Sequence, residues 1–289
     1  MTEKIAVDLG HVQKTLLLPL WGRAYESKKP NPLLVDQAAV NIIDSVDYDF
    51  TDIAQNTHVL SQLAWIMRSL CIDKVITQFL VNFPNASIVN IGCGLDTTFE
   101  RVDNGHLTWY DLDLPDVIDL RCAFMQESER RQFIASSFLD TGWLRQIKHD
   151  NNVLFIAAGV FYYFEEHQIR PFLKRLADLF PASEIVFDVS SPYGIKVANK
   201  MVIKNTGLDE NSFLKWGLDS NKTLLAWDER FKLLATYFYF RQKNLRLPLK
   251  TRLYGMLSDF MRIQYLVHLQ LGECDDFLSA AAAYKKLAK

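Results

Sequence analysis

The sequence predicts an α/β fold built on a largely parallel sheet covered on both faces. Three observations carry this expectation. From residue 87 onward, short apolar runs alternate with longer amphipathic or polar segments. Before residue 84 the apolar residues recur instead at helical spacing. Between the two textures, the run "SIVNI" (87–91) enters a glycine-spaced turn, "GCGLDTTFER", the usual way a strand hands over to a helix in a βαβ unit.

Taken in order, "LLLPLWGRAYES" and "VDQAAVNIIDSV" read as helices, followed by a long helix over 57–83. In that helix Leu60, Leu63, Ala64, Met67, Leu70, Cys71, Val75, Phe79 and Leu80 form one stripe. The turn chemistry of "NFPNAS" (82–87) ends it. Seven strand-like runs follow: "SIVNI", "LTWYDLD", "QFIAS", "NVLFIAA", "EIVFDV", "KLLATYFYF" and "IQYLVHLQL". A helix over 165–180 presents Ile169, Phe172, Leu173, Leu176, Leu179 and Phe180 on one side. The stretch 190–229 interrupts the alternation with "KVANKMVIKNTGL" and "NSFLKWGLDSNKTLLAW", read as helices with Trp216 and Trp227 exposed. A late insertion of this kind lies over strand ends, where ligands bind. The expected organisation is one domain over 1–289: an N-terminal helical cap (1–83), a ligand-binding core (84–189), a cap insertion (190–229) and final strands and helices (230–289).

Composition narrows the function. The 289 residues, 49% hydrophobic and 23% charged, suit one large domain with a cap. With 32 Lys and Arg against 34 Asp and Glu the net charge is −2, and no basic stripe of the kind a nucleic acid requires is present. The short basic run "RLPLKTRLYG" (246–255) reads as a solvated helix start. No apolar run is long enough to span a bilayer, and "MTEKIAVDLGHVQK" lacks a signal-peptide core. Cys71, Cys93, Cys122 and Cys274 have no CxxC or metal-type spacing. A cytoplasmic protein with no metal, no nucleic-acid partner and no membrane partner is expected.

At the glycine turn the backbone must bend sharply while a ligand approaches it, and Gly92 and Gly94 have no side chain to obstruct either. The next helix starts near Thr97 or Thr98, with either threonine or Asp96 available to cap it. Asp111 and Asp113 lie two apart in a strand and point the same way. Pro115 suits the first turn of the following helix, which puts Asp113 at the strand's carboxyl end beside the glycine turn. A carboxylate there can accept hydrogen bonds from both hydroxyls of a ribose. Two ribose-bearing ligands compete for this arrangement. In a dinucleotide site a third small residue packs near the pyrophosphate, but here that position is Thr97 and Asp96 stands where the phosphates would lie. A negative side chain opposes an anion. S-adenosylmethionine carries no phosphate and has a cationic sulfonium, so an acidic rim suits it.

The blocks "NIGCGLDTTFER", "WYDLDLPDVIDLR", "FIAAGVFYYF" and "WGRAYES" resemble the leucine carboxyl methyltransferase family. More closely, they resemble its bacterial branch named after polyketide-biosynthesis O-methyltransferases. The resemblance runs from about Thr15 to about Val189. It implies the Rossmann-like class I methyltransferase fold, a seven-stranded, mostly parallel sheet whose last strand is antiparallel. It also implies S-adenosylmethionine as donor, S-adenosylhomocysteine as product, and a small-molecule acceptor.

Carried over residue by residue, the resemblance places Gly92 and Gly94 under the methionine portion of the donor and Asp113 on the ribose. Arg68 would pair with the donor carboxylate through its guanidinium fork, and Arg23 would close the site. Ser137 and Phe138 stand where the better-known branch has an aspartate–leucine pair near the adenine. Ala158 replaces a glutamate near the sulfonium, which casts doubt on a protein-carboxyl substrate. Tyr162 and Tyr163 follow the fourth strand, where acceptors approach in this fold.

No residue stands out as a general base: His167, Glu165 and Glu166 read as solvated or helix-N-terminal charges. This favours oxygen acceptors, a carboxylate above all, since it is ionised without help. Two alternatives stay open at this point: a non-catalytic S-adenosylmethionine-binding module, and a nicotinamide-dependent oxidoreductase.

Overall fold

The computed structural model describes residues 4–6, 16–148, 152–200, 213–242, 245 and 247–272. In chain order the strands are β1 (Ile5–Ala6), β2 (Val46–Asp47), β3 (Ser87–Ile91), β4 (Thr108–Asp113), β5 (Arg131–Ala135), β6 (Val153–Ala157), β7 (Ser183–Val189), β8 (Lys232–Phe238) and β9 (Tyr265–Leu271). The described α-helices are α1 (Leu17–Ser27), α2 (Gln37–Ser45), α3 (Thr51–Asn56), α4 (Val59–Asn82), α5 (Thr98–Val102), α6 (Pro115–Cys122), α7 (Glu166–Leu179), α8 (Pro192–Ala198), α9 (Asn221–Leu225) and α10 (Leu249–Phe260).

All seven runs read as strands become β3 to β9, in the order β5-β4-β3-β6-β7-β9-β8. Strands β3 to β7 pair in parallel, whereas β9 runs antiparallel to both β7 and β8 between them. The strand order reverses between β3 and β6, so a crevice opens at the carboxyl ends of these two strands.

Every residue of β3 and β6 is buried, as expected of strands covered on both faces. Alternate residues serve opposite layers. Ile88, Trp109, Leu154 and Val186 pack with the α4 stripe of Met67, Val75 and Phe79. Val89, Tyr110, Phe155 and Ile185 pack with Ile169, Leu173 and Leu176 of α7. A separate cluster joins α1, α2 and α4 through Leu17, Trp21, Ala39, Ile42 and Trp65.

Some expectations need correction. Trp216 and Trp227 are buried, 5% and 4% exposed, with ring centroids 5.8 Å apart. The Trp227 indole donates to Glu166 Oε1 at 3.2 Å. They therefore join the α7 core layer instead of standing on a cap surface. The helices read in 190–229 are only partly covered: α8 and α9 are described, and residues 201–212 lie outside the described residues. Strands β1 and β2, two residues each, are too short for periodicity to reveal.

Helix α10 is tied to the sheet by Asp259. This side chain is 1% exposed and accepts hydrogen bonds from the Tyr239 and Phe240 amides at 3.2 and 2.8 Å. Burial raises its pKa from 3.8 to about 6, against the opposing effect of those amides. A raised carboxyl pKa stabilises the fold fully below 3.8 and loses that contribution as pH rises through about 6. Stability measured by chemical denaturation should therefore fall across this interval in the wild type, and the Asp259→Asn variant should lack that part of the slope.

Candidate active site

A cavity of about 810 Å³ lies along the carboxyl ends of the parallel strands, near the upper end of the ~300–1,000 Å³ typical of small-molecule sites. All ten residues singled out from the sequence line it. The chain positions them through local turns and a few buried carboxylates.

The turn after β3 is held by left-handed backbone: φ is +62° at Gly92 and +49° at Gly94. The reason at Gly92 differs from the one expected. A Cβ there would approach Val160 Cγ2 to 2.5 Å, so the missing side chain lets the turn pack on the β6 loop. At Gly94 the nearest obstacle would be Leu16. Gly92→Ala should cost about 2–5 kcal/mol, a left-handed penalty plus overpacking. Val160→Ala in the same chain should restore the overpacking part in denaturant unfolding; no recovery would contradict the contact.

Asp113 ends β4 facing this turn. Its Oδ2 accepts from the Gly94 amide at 2.7 Å and its Oδ1 from the Leu114 amide at 2.8 Å. Each oxygen keeps acceptor capacity for a further donor. Burial raises the Asp113 pKa, and the two amides oppose that rise. Asp111, two residues earlier, is fully buried and accepts from Trp109, Arg121 and Arg131 at 2.8–2.9 Å. It is a structural carboxylate tying β4 to α6 and β5. Arg121 in turn donates to the carbonyls of Gly94 and Asp96, fixing the turn from behind.

Asp96, and neither threonine, caps α5, accepting from the Thr98 amide at 3.0 Å. Burial would raise its pKa, but Arg23 and Arg101 pull it down to about 2, so Asp96 stays ionised beside the glycine turn, paired with those cations. Arg23 Nη2 lies 3.8 Å from Asp96, while its Nε donates to Asp36 at 2.9 Å. Asp36 is a hub that sequence reading missed: it caps α2 and also accepts from Thr97 and Arg101. Arg23 is thus held between two carboxylates at the cavity wall.

Arg68, in the middle of α4, is 6% exposed and so is no snorkelling surface residue. Its Nη1 donates to Asp188 Oδ2 at 2.7 Å and to the Tyr162 hydroxyl at 3.4 Å. Burial would lower its pKa, but the Asp188 carboxylate reverses the sign and raises it. Asp188, the penultimate residue of β7, also accepts from the Gly159 amide at 2.6 Å and the Gln264 side chain at 2.8 Å. It was missed as well; the available signal was one carboxylate at the carboxyl end of an apolar strand run, "EIVFDV".

Ser137 and Phe138 follow β5 on the cavity wall, and Phe138 is wedged edge-on against Phe164 and Phe172 at 4.6 and 4.9 Å. Ala158 and Gly159 follow β6. Tyr162 and Tyr163 stand next, with centroids 5.1 Å apart, and burial raises the Tyr162 pKa, keeping its hydroxyl protonated. Tyr239 also lines the cavity; its hydroxyl is buried without a partner among the described residues. His167 is exposed on α7 and does not line the cavity. Among the described residues there is no cluster able to hold a metal ion and no helix long and apolar enough to cross a membrane.

The strand order, the inserted antiparallel β9 and the crevice at the switch point are those of the Rossmann-like class I methyltransferase fold. A solved structure of a DUF574-family protein from Streptomyces avermitilis shares this fold. Its TM-score is 0.56 at 10% identity, over 86% of this chain and 96% of that one. A profile of the leucine carboxyl methyltransferase family matches residues 17–177, and the chain belongs to that family. Two relatives are each 28% identical to it. One is the tetracenomycin polyketide synthesis O-methyltransferase TcmP of Streptomyces glaucescens, matched over 80% of this chain and 87% of the relative. The other is the S-adenosyl-L-methionine-dependent methyltransferase dpfgK of Gibberella zeae, over 81% and 87%. The chain is an S-adenosylmethionine-dependent methyltransferase, and the oxidoreductase reading falls away.

Proposed function

We propose that the enzyme methylates an oxygen, a carboxylate or hydroxyl, of a polyketide-like small molecule. The observation that carries the donor half of this reading is Asp113, a carboxylate anchored by two amides at the end of β4, with acceptor capacity left over and Arg68 on the wall of the same cavity. The oxygen acceptor rests on the likeness to the tetracenomycin polyketide synthesis O-methyltransferase. The residues fit the donor. The ionised Asp96 carboxylate beside the glycine turn suits a cation and opposes a pyrophosphate. Bound S-adenosylmethionine supplies an already activated methyl group on a sulfonium.

In this reading Asp113 accepts from the ribose hydroxyls, and the turn at Gly92 and Gly94 runs under the methionine portion. Arg68, held by Asp188, offers its guanidinium to the donor carboxylate, and Arg23 closes the wall. Ser137 and Phe138 border the adenine. Ala158 lines the cavity where the better-known branch has a glutamate near the sulfonium, so no carboxylate is supplied at that place. Tyr162 and Tyr163 form part of the acceptor wall, and Leu18 and Pro19 of α1 with Tyr193 and Val197 of α8 cover the cavity against water. Alignment of this kind contributes on the order of 7–11 kcal/mol to a displacement.

The test has two arms. S-adenosylhomocysteine should raise the melting temperature and NADPH should not. Mass spectrometry of turnover with aromatic carboxylic acids and phenols should show the added methyl on oxygen. Transfer confined to nitrogen or carbon would refute the oxygen assignment while leaving the donor site intact.

A further inference from the structure

Helix α10 carries its polarity inside out. The residues turned inward are small or polar: Gly255, where a Cβ would collide with Phe240, and Asp259, bonded to two amides. The outward residues Leu249, Leu253, Met256, Leu257 and Phe260 recur at helical spacing and are 83%, 65%, 45%, 50% and 75% exposed. A helix on a protein surface ordinarily turns such a stripe to the core. A contiguous apolar patch of this kind on a surface marks an interaction site.

Charge indicates what it meets. Lys250 and Arg252 are exposed on α10, and Arg262 is exposed two residues beyond it, whereas the helix's single acidic residue, Asp259, is buried. A two-fold contact between copies would bring these like charges together across the interface, which opposes self-association. An anionic lipid surface presents the opposite charge and needs no shaped groove to receive a convex stripe. Leucine and aromatic side chains above a basic flank are the composition of helices that lie in a bilayer interface. Tyr254 and Leu257 also line the cavity, so α10 borders it.

We propose that α10 docks the enzyme on an anionic membrane surface, with its apolar stripe in the headgroup boundary and Lys250, Arg252 and Arg262 against the headgroups. The sequence expectation of no membrane partner rested on the lack of a spanning run, which an interfacial helix does not need. The proposal is independent of the acceptor reading above.

The full chain is floated with vesicles of phosphatidylcholine alone and of phosphatidylcholine with about one third phosphatidylglycerol. Binding should appear on the anionic vesicles, fade with salt, and drop at least ~10-fold in Lys250→Glu/Arg252→Glu. Leu249→Asp/Phe260→Asp should drop similarly with an unchanged circular dichroism spectrum; neither residue lines the cavity. No ligand is present, so the outcome does not depend on the donor site, which the homocysteine thermal shift reports separately. Equal binding to both vesicle types would overturn the proposal. So would a dimer in sedimentation velocity that Leu249→Asp/Phe260→Asp dissociates, which would assign the stripe to a second copy. A monomer that binds neither vesicle would overturn it too.

Discussion

Replacing Asp113 by alanine is expected to weaken S-adenosylhomocysteine binding by roughly 10²–10⁴-fold in calorimetry, since each hydrogen bond to a charged acceptor contributes about 1.5–3 kcal/mol. Both carboxylate oxygens already hold a backbone amide. The carboxylate is thus fixed in place before the ligand arrives, and little ordering of Asp113 opposes binding. Asp113→Asn should fall between wild type and alanine, because one amide oxygen can still accept while the amide nitrogen faces a donor. The pH dependence follows from the raised Asp113 pKa, whose main cause is burial. Ionised Asp113 accepts from two hydroxyls and protonated Asp113 from fewer. Affinity should therefore decline on acidification at a pH above the ordinary aspartate value of 3.8, and the alanine variant should show no such decline. A variant that binds the homocysteine normally would remove the basis for the donor site.

What could be read in the sequence was what the chain does locally. The glycine turn, the aspartate at the end of β4 and Pro115 opening α6 are all set within about thirty residues, and spacing alone places them. The seven strands were legible because buried parallel strands are near-continuous apolar runs. The insertion of β9 between β7 and β8 was not, since periodicity carries no pairing information; the family resemblance supplied only that the last strand runs antiparallel. The purpose of Gly92 was half legible: left-handed backbone is local, but the close contact with Val160 spans 68 residues of chain. Trp216 and Trp227 were misread for the same reason, as their burial depends on α7 packing over them from outside their own segment. The carboxylates that brace the site, Asp36 and Asp188, act on partners up to 120 residues away. In sequence Asp36 is one acid before a helix, and Asp188 shows only as an acid at the end of an apolar run.

Asp188 is the case where this matters most, because it couples a structural pair to the donor site. Arg68 and Asp188 are buried together, 8% and 0% exposed at their side chains, so removing either leaves the other's buried charge without its ion-pair partner. Each single variant, Arg68→Met or Asp188→Asn, should lose about 3–5 kcal/mol of stability. The double variant should lose less than the sum and possess a stability nearer to wild type than either single change, because no uncompensated charge remains. Donor affinity should not follow that pattern. Asp188→Asn keeps the guanidinium but releases it from one of its holding bonds, so S-adenosylhomocysteine affinity should fall modestly. Arg68→Met removes the cation, so affinity should fall further, and the double variant should bind no better despite its recovered stability. Denaturant unfolding and calorimetry on the same three proteins separate the two roles. If affinity returned together with stability in the double variant, Arg68 would be a strut of the fold and the donor carboxylate would be held elsewhere.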